Sequence, residues 1–428
     1  MKSLLKNATV ITQNGNREIL PQTDVLIDGA HIAAIGRRLE GPVDKTIDVT
    51  DLIVSPGIIN THVHLGETAY APFMPQRTPL DAYLQQAEAY AAAIASIEGA
   101  RQTIASYSLL QLIQAGTTTV GGGRTAASAS QLGIRNVSGY MLMRSQKLGH
   151  FSQDITGGFT NEQAIYANGL TSHAFFIHSL HTVDAQILSE VAPLFAADTT
   201  IRLMIHVAES ELSRKGAEQK WGMSEIEVLE SYSLLNNRTL IIHGNHLTNK
   251  DLRTIRKYGA SIAHCPSSNM NTADDMLSLC TVAEEGITAA IATDGVVTSG
   301  SFSALHEAHI AYQYHNRFER NDSVSAQRVF DMVTINAAKA LGLEQQIGSI
   351  EVGKAADIVI YSPPFPASTI DPVKQLIYYT ELATVREVFI NGEHRLAQSQ
   401  LLLPNAKGIE QEFQSILQSI ADELSVSK

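Results

Sequence analysis

Apolar positions along the chain follow two periods in turn. Near the start they alternate with polar ones. Leu4 to Thr12 reads as one strand, and Asp24 to Asp28 with His31 to Ile35 reads as a hairpin around Asp28-Gly29. From Ile53 to about residue 315 the pattern becomes a short apolar run, a polar loop and a helix-length stretch, repeated. The runs are Ile53–Ile59, Thr117–Val120, Val137–Met141, Ala174–Ile177, Ile201–Ile205, Thr239–Ile242, Ser261–Ala263 and Thr288–Ala292. Asp184–Phe195, Ser224–Leu235 and Asp251–Tyr258 are among the helices between them, and Leu80 to Ala115 reads as an Ala-rich helix pair outside the repeat. Eight strands alternating with helices predict an α/β fold, a (β/α)8 TIM-like barrel.

After a helical stretch over Ser325–Leu341, the pattern returns to strands at Ile358–Tyr361 and Val385–Gly392. Both chain ends therefore carry β material. The expected organisation is a small β-sandwich domain from residues 1–56 and 348–405, a barrel over 57–347, and an amphipathic packing helix over 406–428.

Composition narrows the setting. With 44% hydrophobic and 17% charged residues, a large core is easily filled. The 31 Lys and Arg against 43 Asp and Glu give a formal charge of −12, which argues against nucleic acid as the main partner. Two cysteines cannot make a disulfide framework, no apolar run approaches a membrane span, and residues 1–30 lack a secretory pattern. The expected setting is cytoplasmic, with a small-molecule substrate and neither nucleic acid nor membrane as partner.

The chemistry lies where the strands end. Catalytic groups of a β/α barrel project from the C-terminal strand ends. His62 and His64 follow the first run at i and i+2, so both can point the same way from extended chain. His178, His206, His243, His264 and Asp294 end the fourth to eighth. One such histidine means little, but placement on strand after strand means convergence on one mouth. Three imidazoles and a carboxylate suit zinc, or iron or manganese, with a position left for water. Such a metal lowers the pKa of bound water from about 15.7 to roughly 7. Glu209, three residues past His206, is placed to carry protons beside it, and Asp294 can share that task.

Val54-Ser55-Pro56-Gly57-Ile58-Ile59-Asn60-Thr61-His62-Val63-His64, His206-Val207-Ala208-Glu209, His243-Gly244-Asn245-His246-Leu247, His264-Cys265-Pro266-Ser267-Ser268-Asn269, Thr293-Asp294-Gly295 and the Gly348–Asp357 turn run in an ordered series. It resembles the amidohydrolase superfamily, in its cytosine deaminase-like and chlorohydrolase-like branch with the S-adenosylhomocysteine, guanine and triazine deaminases. The resemblance implies one divalent metal, zinc before iron or manganese, on His62, His64, His206 and Asp294. It implies Glu209 as the proton carrier, His243 as the group that orients hydroxide or polarises substrate, and His178 as a substrate contact. A homo-oligomer, a dimer or larger, is the family expectation. No Lys ends the fourth strand, which favours one metal over a carbamate-bridged pair.

The departures fall on pocket positions. Leu65-Gly66-Glu67-Thr68 replaces a Pro-Met continuation, His181 stands where Tyr is frequent, and Val296-Val297-Thr298-Ser299-Gly300 follows Asp294-Gly295. Glu67, Thr298 and Arg144 are therefore candidate substrate contacts, with a solvated acid and a surface ion pair as the plainer roles of Glu67 and Arg144. The expected activity is hydrolytic deamination of an amino-substituted nitrogen heterocycle, of purine, pterin, pyrimidine or triazine type. The alternative is an amide or ring-opening C–N hydrolase like imidazolonepropionase.

Overall fold

In the computed structural model, which describes residues 1–74, 80–144, 154–273, 275–319 and 324–426, eight parallel strands stand in one sheet in chain order. They are β1 (Ile58–Asn60), β2 (Thr117–Gly123), β3 (Arg135–Leu142), β4 (Thr171–Ser179), β5 (Arg202–Val207), β6 (Thr239–His243), β7 (Ser261–His264) and β8 (Ala289–Ile291). Strands covered on both faces read as continuous apolar runs, which is how these appear in the sequence. Closure between β8 and β1 uses side chains as well as backbone. Asn60 accepts from Thr293 N at 3.1 Å and donates to Thr293 Oγ1 at 2.8 Å, while Val63 and Asp294 form a parallel bridge. The predicted barrel is present.

Ile53–Ile59, predicted as one strand, is two. Ile53–Pro56 pairs with Lys2–Ile11 and Ile358–Ser362 in a separate nine-stranded mixed sheet, and only Ile58–Asn60 enters the barrel. Five strands from the first 56 residues and four from Ile358 onward build that sheet, so the predicted union of the two chain ends is observed. Arg135 at the start of β3 ties it to the barrel. Its guanidinium grips Asp357 from Nε at 2.8 Å and Nη2 at 3.2 Å, and both side chains are buried.

Alternation along the strands sorts the core. Phe176, Met204, Ile242 and Ala263 join Ala338 and Leu341 of the Ile335–Leu341 helix in one cluster, while Phe175, Ile205, Ile241 and Ile262 pack in a second with residues of the outer helices. His178 shares a face with Phe176, and His206 with Met204, so period two aims both inward. The segment after β1 needs a close approach to β2. A side chain on Gly121 or Gly122 would stand 2.5 Å from the carbonyl of Thr61 or Val63. Helices Leu80–Ser96 and Ala100–Gln114 lie outside the barrel as predicted, and the Ala406–Val426 helix packs on the latter, stacking Phe413 on Tyr107 at 3.8 Å. Residues 427 and 428 of the predicted terminal helix lie outside the described residues. Among the described residues no helix is long and apolar enough to cross a membrane.

Candidate active site

His62, His64, His206 and Asp294 converge at the C-terminal mouth. One donor atom from each lies within 4.8 Å of all the others, and among the described residues no other such group can hold a metal. His62 Nε2 stands 2.9 Å from His64 Nε2 and 3.1 Å from His206 Nε2. Asp294 Oδ1 is 3.2 Å from the first and 3.1 Å from the second. The far nitrogens fix the tautomers. His206 Nδ1 donates to the backbone carbonyl of His178 at 2.7 Å, and His64 Nδ1 faces Glu67 Oε1 at 2.8 Å. Each keeps Nε2 free to donate a lone pair, the usual outer arrangement of a metal-binding histidine.

Electrostatics agrees with that use. Burial pushes the His62 imidazole down to about 4 and His206 well below the ordinary range, so both are neutral donors near pH 7. Burial works against the charged Asp294 too, but His64 and His62 hold its carboxyl well below the ordinary range. His64 is the exception: burial lowers it, yet Glu67 and Asp294 beside it lift it well above the usual value. Three neutral-capable imidazoles and one carboxylate fit a divalent cation of the zinc type.

Glu209 and His243 stand next to this group without joining it. His243 Nε2 is 3.7 Å from Glu209 Oε1. Burial, reinforced by Asp294 and Glu67, raises the Glu209 carboxyl against the pull of His243. Ile242 faces the barrel interior, so strict alternation would send His243 outward. The left-handed backbone at His243 (φ 71°) breaks that alternation, and its ring lies 5.3 Å from that of His206. Asp294 (φ 61°) adopts the same rare conformation.

A buried amide chain that the sequence reading did not single out holds both groups. His243 Nδ1 meets Asn269 Oδ1 at 2.9 Å, Asn269 Nδ2 donates to Asn245 Oδ1 at 2.8 Å, and Asn245 Nδ2 donates to the Glu209 carbonyl at 2.9 Å. Ser268 donates to Asp294 Oδ2 at 2.6 Å. Asn245, Ser268 and Asn269 all fall inside the quoted motif stretches, and that position was the available signal.

Other predicted residues are placed differently. His178 lies at the mouth with its ring 5.2 Å from His206, and burial lowers it to about 3. Thr298 Oγ1 reaches Gly295 O at 3.0 Å and Asp294 Oδ2 at 3.4 Å, so it braces the ligand loop. Arg144 is exposed and pairs with Asp184 and Gln186, the plainer of its two predicted roles. His264 does not converge with the rest. Ala263 faces inward, so alternation turns His264 toward the Ala304–Phe318 helix, where its Nε2 meets His315 Nε2 at 3.1 Å.

The chain matches the amidohydrolase family over residues 53–394. It is similar to a 5-methylthioadenosine/S-adenosylhomocysteine deaminase of Pyrococcus furiosus, 26% identical, covering 97% of this chain and 100% of the relative. It is likewise similar to a 5'-deoxyadenosine deaminase of Methanosphaera stadtmanae, 28% identical over 94% and 95% of the two chains. Among solved structures, an adenosine deaminase from Xanthomonas campestris with bound zinc superimposes with a TM-score of 0.89 at 23% identity, covering 98% of each chain.

Proposed function

The chain belongs to the amidohydrolase family, and on that premise we propose that it is a one-metal hydrolytic deaminase of amino-substituted nitrogen heterocycles. The observation that carries this is the pair of buried His243 and largely buried Glu209 set beside, and not within, the four-donor group. His62, His64, His206 and Asp294 would hold the cation. Zinc is the metal favoured by three imidazoles and a carboxylate, and it is the metal named for the Xanthomonas deaminase. A divalent cation supplies Lewis acidity there, making water a usable nucleophile near neutral pH.

The remaining work falls to the protein. Glu209 accepts a proton from the attacking water and passes it to the ring nitrogen. It then takes the second proton from the hydroxyl so added and passes it to the amine, which leaves as ammonia as the C–N bond breaks and the C=O bond forms. Its raised carboxyl suits a group that both takes and gives protons in one turnover. His243, fixed by Asn269 with its Nε2 toward Glu209, polarises the carbon under attack or orients the water. Of the candidate substrate contacts, His178 has the geometric support, its ring lying 5.2 Å from that of His206, whereas Thr298 is engaged with Asp294 and Gly295, and Arg144 with Asp184.

Relatives aligned over more than nine-tenths of this chain are named for adenosine derivatives, which favours 6-aminopurine nucleosides over pterins, pyrimidines and triazines as first substrates. Cys265 and Cys280 are buried and not joined in a disulfide, which accords with a cytoplasmic setting, and a homo-oligomer accords with the family. The test is ammonia release from metal-analysed protein against a panel of these heterocycles. Deamination frees one ammonia per turnover; ring opening consumes substrate with no ammonia and would replace this reading by the amide-hydrolase one.

A further inference from the structure

The chain departs from the family pattern immediately after His64, and there the structure does something specific. Leu65–Glu67 forms a short 3-10 turn that brings Glu67 back onto His64 at i+3. One carboxylate oxygen, Oε1, lies 2.8 Å from His64 Nδ1. The other, Oε2, accepts the Tyr83 hydroxyl at 2.6 Å, and the Tyr70 hydroxyl bonds into the same group. Burial together with the Glu67 charge pushes both phenols well above their ordinary range, so they stay protonated and act as donors.

Room for this arrangement depends on Gly295, next to the ligand Asp294. A side-chain carbon at that position would stand 2.3 Å from Glu67 Oε2. The backbone of Gly295 is extended (φ −72°), so glycine is needed there for space and not for conformation. Tyr70 is itself anchored among Ile94, Ile104, Phe413 and Ile416, where the Ala406–Val426 helix covers it. Both Glu67 oxygens are thus engaged by the protein. A substrate acceptor would keep one of them turned toward the mouth.

We propose that Glu67, held by Tyr83 and given space by Gly295, is a positioning residue for the ligand His64, setting its tautomer and strengthening Nε2 as a donor. A carboxylate on the far nitrogen of a ligand histidine orients the ring and raises its basicity, and loss of such a partner typically costs about 10–100-fold in metal affinity. The inference rests on the metal site of the proposed function and is independent of the reaction assigned to it.

The experiment measures zinc affinity of chelator-stripped full-length protein by competition with a chromophoric chelator, for the wild type, Glu67→Ala, Glu67→Gln, Tyr83→Phe and Gly295→Ala. Visible spectra of the cobalt forms and thermal melting of the stripped proteins accompany it. Expected is a loss of about 10–100-fold for Glu67→Ala. A smaller loss is expected for Glu67→Gln, whose amide oxygen still accepts from Nδ1–H. Tyr83→Phe and Gly295→Ala should shift affinity the same way, with an altered cobalt spectrum and unchanged melting. Should Glu67→Ala fail to fold, Tyr83→Phe, which removes a single hydroxyl, decides alone. Wild-type zinc affinity in Tyr83→Phe and the Glu67 variants, with KM raised instead, overturns the proposal and returns Glu67 to substrate binding. A wild type that binds no zinc overturns it along with the metal site. Zinc binding weakened as expected in a protein that releases no ammonia upholds it and sinks only the deaminase reading.

Discussion

Replacing Glu209 by Gln removes the proton carrier while leaving most else in place. The backbone at residue 209 is held through its carbonyl by Asn245, which the substitution does not touch. The side chain is largely buried and 3.7 Å from His243 Nε2, and it contributes no atom to the four-donor group, so metal content should not change. A positioned general acid–base contributes about 10²–10⁴-fold, or roughly 2.7–5.5 kcal/mol of barrier. Glu209 serves more than one transfer in the same turnover, which places the expected loss in the upper half, about 10³–10⁴-fold. The assay is steady-state ammonia release over a pH series, with metal measured on the same sample. Because burial raises the carboxyl, wild-type kcat/KM should fall as pH drops through a value above the ordinary glutamate range, where the protonated acid can no longer accept a proton. That limb should be absent from Glu209→Gln. A variant carrying one metal and turning over within about tenfold of wild type would remove Glu209 from the mechanism.

Asp294→Ala should lose both metal and turnover, and full metal content in that variant would take Asp294 out of the donor set. Asp357→Ala leaves the Arg135 guanidinium buried with, among the described residues, only Asn391 Oδ1 at 3.3 Å. Breaking such a pair costs about 3–5 kcal/mol, read from urea unfolding, and a loss under about 1 kcal/mol would refute the clamp. Glu307 accepts from Ser267 N at 2.9 Å and has, among the described residues, no partner on Oε1, and burial lifts it from 4.5 to about 8. The folded state then binds this proton more tightly than the unfolded one, so stability from Glu307 is fully present below about 4.5 and is lost as pH rises through about 8. Glu307→Gln should flatten the decline between these values, with Glu225 sustaining part of it; parallel unfolding profiles for variant and wild type would contradict this.

The barrel and its ligands were legible because two periodic signals coincide in the sequence: apolar runs that bury both faces, and polar residues at their ends. His206 follows from alternation with Met204, since both occupy one face of β5. The same rule, applied to Ala263 and His264, would have turned His264 away from the mouth, and proximity to a strand end concealed that. Pro56-Gly57 punctuates Ile53–Ile59 and was the available signal for its division, but both halves are fully buried and nothing in their pattern says that they serve different sheets. Asn245 and Asn269 act through side-chain bonds to loops far apart in sequence, which leave no period. Tyr83 sits on a helix read only as outer packing, and its bond to Glu67 spans the 16 residues that carry the chain from ligand loop to helix.

The most direct measurement is reconstitution. Chelator-stripped protein is titrated with zinc while ammonia release from a responsive aminopurine is followed. A deaminase working through His62, His64, His206 and Asp294 should be silent when stripped and regain full activity at one zinc per chain. Ammonia release that survives stripping, or that saturates only at two zinc ions per chain, would contradict the one-metal site.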